Sequence, residues 1–169
     1  MYLFHTPRLR IRRLSAYDLD ALLDVYGDAD AMRWVGDGAA LTEADCARWV
    51  EVTERNYTQR GYGMSAIELA ADGTVIGFCG LVHPSGQAEP ELKYALRREH
   101  WGHGYATEAA ANMLRYGAEA QSLRQIIATA APENLASHNV LYKAGMQRIT
   151  DRIEADGSAT ALFVWQSAD

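Results

Sequence analysis

Two β-prone runs, Met64–Leu69 and Val75–Val82, flank a turn containing Asp72 and Gly73, the strongest short-range hairpin signal in the chain. They must pair antiparallel, so the fold has to be built round a sheet that contains this hairpin. Upstream, residues 8–14 alternate, with Leu9 and Ile11 on one face and Arg10 and Arg12 on the other, as a half-buried strand does. The arginines among residues 8–13 read as its solvated face. Ser15 precedes a Leu19, Leu22, Leu23, Tyr26 stripe with Asp18 three residues on, a capped helix. A second helix starts at Thr42, again with an acidic residue (Asp45) three on, and ends at Gly61. Downstream come a strand at 91–97, a glycine-containing loop, an alanine-rich helix at 106–121, a strand at 125–131 and a short helix at 137–144 stopped by Gly145. A final hairpin, 148–154 with 159–166, turns at Asp156-Gly157. This order predicts an α/β fold: a mixed, mostly antiparallel sheet of about seven strands with about four helices.

Length and composition narrow the functions. With 169 residues the chain has room for a single domain, expected to span 1–169. Hydrophobic residues at 49% and charged ones at 22% describe a chain that folds by burying apolar surface. A net charge of −6 removes the basic excess that nonspecific nucleic-acid binding needs, so no nucleic-acid partner is expected. No apolar run approaches the roughly 20 residues that span a bilayer, and the start lacks a signal-like pattern, so the expected location is cytoplasmic, with no membrane partner. Cys46 and Cys79 form no CxxC pair and read as buried free thiols.

The stretch Trp101-Gly102-His103-Gly104-Tyr105-Ala106-Thr107-Glu108 lies where a strand ends and a helix begins. Glycines there let the backbone approach a ligand, and the unpaired amides of a first helical turn, at the positive end of the helix dipole, favour an anion such as a pyrophosphate. A tight structural turn is the competing explanation. A Walker loop fails, because Tyr105-Ala106 stands where Lys-Ser or Lys-Thr belongs, and a dinucleotide fingerprint fails at Thr107.

The same stretch resembles the acyl-coenzyme A loop of the GNAT superfamily of N-acetyltransferases, Arg/Gln-x-x-Gly-x-Gly/Ala, with Trp101 replacing the first residue. Its extended form looks like the RimJ/RimL-type branch of ribosomal-protein alanine N-acetyltransferases. A second block, Asn134-Leu135-Ala136-Ser137 followed by Val140-Leu141-Tyr142-Lys143-Ala144-Gly145-Met146, is similar to that branch, as are residues 6–12 and Glu91-Leu92-Lys93-Tyr94-Ala95-Leu96.

The resemblance implies a GNAT-like fold and acetyl-CoA as co-substrate, without metal. It places the pyrophosphate on the backbone of Trp101, Gly102, His103, Gly104, Tyr105, Ala106 and Thr107, and the pantetheine arm along the main chain at Leu96. Asn134 would bond the arm or cap a helix; Lys143 would meet a coenzyme phosphate or simply favour its helix end. Glu91, on the strand beside the thioester, is the candidate base, with a solvated surface glutamate as the alternative. Ser137 is the candidate proton donor to sulfur, or a helix N-cap. The superfamily's tyrosine falls on Leu141, so no role passes to Tyr142. Arg33, Trp34 and Gly36 to Gly38 lie where the acceptor cleft is usually shaped, although Trp34 fits an ordinary core as well. His100 and His103 lack the further ligands a metal site needs.

The expected reaction is acetyl transfer from acetyl-CoA to a primary amine, a peptide N-terminus or a small molecule, by direct attack in a ternary complex, since neither cysteine lies in a family block. An acyl-CoA-binding module without transferase activity is the alternative. Acceptor identity, acyl preference and oligomeric state are not encoded in any motif.

Overall fold

The computed structural model describes residues 1–34 and 38–168. In chain order the elements are β1 Tyr2–His5, β2 Leu9–Arg13, α1 Leu19–Tyr26, α2 Glu43–Arg60, β3 Met64–Leu69, β4 Val75–Val82, β5 Glu91–Leu96, α3 Tyr105–Gln121, β6 Gln125–Ala130, α4 Leu135–Lys143, β7 Gln147–Arg148, β8 Arg152–Ile153 and β9 Ala159–Gln166. The sheet runs β1-β2-β3-β4-β5-β6-β9-β7, with β8 hydrogen-bonded to β9. Among the described residues every pairing is antiparallel except β5 with β6. Nine strands thus replace the expected seven among the described residues. The additions are β1 and the split of residues 148–154 into the two-residue β7 and β8, segments too short to carry a period.

Local chemistry sets the boundaries. Thr42 caps α2: its hydroxyl accepts from the Asp45 N–H at 3.2 Å, while the Asp45 carboxylate accepts from the Thr42 N–H at 2.9 Å. Asp18 likewise accepts from the Ser15 N–H at 2.9 Å. It also takes Arg12, whose Nη2 lies 2.8 Å from Asp18 Oδ1 and whose Nε lies 2.5 Å from Glu68 Oε1. Arg12 is therefore no solvated arginine: alternation put it on the correct face of β2, but that face is covered.

One core lies between the sheet and α3/α4, with Leu81, Leu92, Leu96, Met113, Leu114, Ile126 and Phe163. The other lies between the sheet and α1/α2, with Leu22, Val25, Tyr26, Cys46, Val50, Ala66 and Phe78. Cover on both faces explains why β4 reads as a continuous apolar run rather than an alternating one, and why β3 is buried almost throughout, Ser65 and Glu68 included. Cys79 belongs to the first core and Cys46 to the second, so the sheet separates two buried free thiols. No helix among the described residues is long and apolar enough to cross a membrane.

Candidate active site

The site is built round the parallel junction of β5 with β6. β4 and β5 share six register pairs, whereas β5 and β6 share one, Glu91 with Ile127, beside the Ile127 N–H to Pro90 carbonyl bond of 2.9 Å. Beyond Glu91 the two strands part. The Arg97 N–H donates to the Ile76 carbonyl at 2.8 Å on the β4 side. By antiparallel alternation the main-chain groups of Leu96 and Tyr94 then face the gap. The Leu96 carbonyl is already taken there, accepting from Trp101 Nε1 at 2.9 Å. Trp101 thus braces the end of β5 through its indole.

At the far end of the gap the chain turns into α3. Gly102 and Gly104 have φ of +77° and +79°, left-handed conformations that cost an L-residue about 1–2 kcal/mol. Gly104 is the N-cap of α3 and no side chain caps that helix. Among the described residues, no protein acceptor meets the amides from Gly102 to Thr107 in hydrogen-bonding geometry. Four orphan donors at a helix start, with open space around Gly102, can seat an anion. Glu108 does not fill it. Its carboxylate accepts from Thr6 Oγ1 at 2.6 Å, the Arg8 N–H at 3.0 Å and Arg8 Nε at 2.7 Å, while Arg8 Nη1 donates to the His103 carbonyl at 2.8 Å. Burial alone raises the Glu108 carboxyl, but the bonds from Thr6 and Arg8 outweigh it and hold the group below its ordinary value. This clamp ties the β1–β2 turn to the glycine loop.

Strand periodicity places the chemical groups on opposite faces of β5. Glu91, Lys93 and Ala95 turn toward the α1/α2 side; Leu92, Tyr94 and Leu96 turn toward α3/α4. Glu91 is no surface glutamate: it is 2% exposed, ion-paired to Lys93 Nζ at 2.5 Å, and accepts from Gln87 Nε2 and Thr129 Oγ1, each at 3.3 Å. On the opposite face, Ser137 sits in the first turn of α4. It is not the cap. Asn134 is, its Oδ1 accepting from the Ser137 N–H at 3.2 Å. That leaves the Ser137 hydroxyl to a partner the sequence did not mark, the Tyr94 hydroxyl 2.6 Å away. Burial pushes the Tyr94 phenol up to about 12, against the opposing pull of its Ser137 bond, so it stays protonated.

The remaining expected residues fall around this centre. Lys143 is the exposed last residue of α4. Tyr142 is half exposed and packs edge-on against Phe163 at 5.3 Å. Trp34 is 41% exposed, not core, with the Arg33 guanidinium 5.0 Å from its ring centroid. Gly36 lies outside the described residues. Burial raises the Cys79 thiol to about 12, which removes it as a nucleophile. No group of three or more His, Cys, Asp or Glu side chains able to hold a metal occurs among the described residues.

A slot between parting strands with unpaired amides beyond it suits a long thioester that ends in a diphosphate, the co-substrate of the acyl-CoA-dependent acetyltransferases. Comparison with known proteins agrees. Residues 8–147 match the family model described as acetyltransferase (GNAT) domain, so the chain belongs to the GNAT acetyltransferase family. It is 29% identical over 143 residues, 85% of this chain and 81% of the relative, to YnaD of Bacillus subtilis, named an uncharacterized N-acetyltransferase. A GNAT-family acetyltransferase structure from Bacillus anthracis superposes with a TM-score of 0.81 at 25% identity, covering 98% of both chains. The fold is shared also with RimL, a ribosomal L7/L12 α-N-protein acetyltransferase solved with coenzyme A, at TM-score 0.82, 15% identity and 98% of both chains.

Proposed function

We propose that this chain, acting as one domain, acetylates a primary amine with acetyl-CoA bound at the glycine loop and in the β5–β6 gap, and that the amine is an α-amine of the kind RimJ/RimL-type enzymes modify. The single observation that carries the reading is the row of unpaired amides from Gly102 to Thr107 at the end of a gap between diverging parallel strands. Those amides seat the diphosphate, and the main chain of Tyr94 and Leu96 lines the arm. Since the Leu96 carbonyl already accepts from Trp101, its N–H is the group left for the arm. Asn134 acts through the fold, by capping α4 under Ser137.

The two faces of β5 divide the chemistry. Coenzyme enters from the α3/α4 side and the amine from the α1/α2 side, the face of β5 on which Glu91 lies, with Arg33 and Trp34 of the α1–α2 connection shaping the acceptor cleft. Glu91, held by Lys93, Gln87 and Thr129, takes the proton that the amine loses as it attacks the carbonyl carbon. Ser137 gives its hydroxyl proton to the sulfur as the C–S bond breaks. An α-amine of pKa near 8 costs roughly 1.4 kcal/mol to neutralise at pH 7, against about 4.6 for a lysine near 10.4, so it demands less of its base. Attack is direct, because both thiols are buried on the wrong elements. RimL, which shares the fold, acts on a protein α-amine. Acetyl-CoA chemistry and reduced thiols suit a cytoplasmic enzyme.

The test is release of free thiol from acetyl-CoA by the purified protein with a panel of amines: alanyl and seryl peptides, polyamines and aminoglycosides. The expected outcome is release with a peptide N-terminus, confirmed by a mass gain of one acetyl group. Tight coenzyme binding with no release for any amine would leave a binding module instead.

A further inference from the structure

We infer that Tyr94 is the positioning residue that aims the Ser137 hydroxyl at the leaving sulfur, making the proton donor a two-hydroxyl unit rather than a lone serine. The inference rests on the assignment of Ser137 as proton donor made above. Tyr94 and Ser137 are 43 positions apart, on β5 and α4, and their hydroxyl oxygens lie 2.6 Å from each other. In such a pair one group donates and the other accepts. A phenol is the stronger acid and the better donor, and the alternative acceptor near it, the Ser137 carbonyl, is distant at 3.4 Å. Tyr94 therefore donates to Ser137 Oγ, and the serine's own proton must point elsewhere.

Where it points follows from the other constraints on Ser137. Its N–H is held by Asn134 Oδ1, which fixes the backbone of the first turn of α4. Tyr94 rises from the strand edge that borders the gap, and its ring packs against the α3/α4 core. With one lone pair occupied by Tyr94, the serine O–H is free to be aimed into the gap, where the thioester sulfur lies in the proposed reaction. As the C–S bond breaks, its electron pair passes to sulfur and the Ser137 O–H proton follows. The serine oxygen gains negative charge at that moment, and the Tyr94 O–H, already in place, strengthens its hydrogen bond to it. Glu91 then releases the amine's proton to solvent and the Ser137 oxygen takes one proton back from solvent, so both groups return to their starting states.

Tyr94→Phe removes the hydroxyl and keeps the ring, so fold and core remain. With acetyl-CoA and the panel amine giving the fastest transfer, kcat should fall about tenfold, while the Kd for coenzyme A stays within twofold. Ser137→Ala should lower kcat by at least as much. The decisive comparison is the double variant, which should be no slower than Ser137→Ala alone, because the phenol has then nothing to aim. If Tyr94→Phe costs the same factor in the Ser137→Ala background as in the wild type, or leaves kcat unchanged while Ser137→Ala lowers it, the inference is wrong and the donor assignment stands. If Ser137→Ala leaves kcat intact, the donor assignment itself fails and takes the inference with it.

Discussion

Gly104→Ala separates what the glycine loop does for the fold from what it does for the coenzyme. At φ +79° an alanine pays about 1–2 kcal/mol for the left-handed region, partly offset by about 0.4–1 kcal/mol from a stiffer unfolded chain. The new Cβ meets no atom within 4 Å except Arg8 Nη2 at 3.3 Å, the far end of a flexible side chain, so little steric cost is added. The net loss is about 1 kcal/mol, a fall in Tm of roughly 2–4 °C for a chain of this length. Coenzyme affinity should fall much further. The methyl group or a compensating rotation withdraws one amide from the diphosphate, and a hydrogen bond to a charged group is worth about 1.5–3 kcal/mol. The Kd for coenzyme A, by isothermal titration, should therefore rise about 10-fold to 100-fold. His103→Ala is the control. That side chain is exposed at the loop surface and the proposed seat uses only its backbone, so affinity should change less than twofold. A folded Gly104→Ala protein with coenzyme affinity within twofold of wild type refutes the amide seat.

Arg12→Ala leaves Asp18, 3% exposed, without its partner; with Arg12 itself 22% exposed, the loss should sit near the lower end of the 3–5 kcal/mol range for a broken buried pair, about 3 kcal/mol by denaturant unfolding. For Glu108→Gln the sign follows from a carboxyl held below its ordinary value: the wild type's advantage is present above the unfolded-state value of about 4.3 and vanishes as pH falls through the lower folded value, so stability curves of the two proteins should converge in acid. A wild-type advantage that persists unchanged into strong acid contradicts the clamp. A thiol-labelling reagent should modify neither Cys46 nor Cys79 in the native protein, and Cys79→Ala should retain transfer; loss of transfer with an intact fold would revive an acyl-enzyme.

The sequence spoke clearly wherever the determining chemistry was local. Thr42 with Asp45, Gly61, the Asp72-Gly73 turn and the paired glycines before α3 each act within a few residues, and their elements lie where expected. What stayed hidden depends on contacts between distant segments. Tyr94 stood inside a recognised block, yet only the fold brings its hydroxyl to Ser137. Asn134 and Ser137 are both good capping residues, and nothing within four positions says that the first caps and the second is thereby freed. Alternation in β2 pointed Arg12 away from Leu9 and Ile11 correctly, but not that Asp18 and Glu68 wait on that side. That Glu91 is buried and held by Gln87 and Thr129 as well as by its strand neighbour Lys93 shows only once the strands are in place.

Amide signals of isotopically labelled protein titrated with coenzyme A test the central claim most directly. Bound diphosphate should shift the N–H resonances of residues 102–107 and slow their hydrogen exchange, with smaller changes at Tyr94 and Leu96 and none along β1 or the outer face of α2. Saturable binding that moves other amides and leaves 102–107 untouched, or no binding at all, contradicts the account.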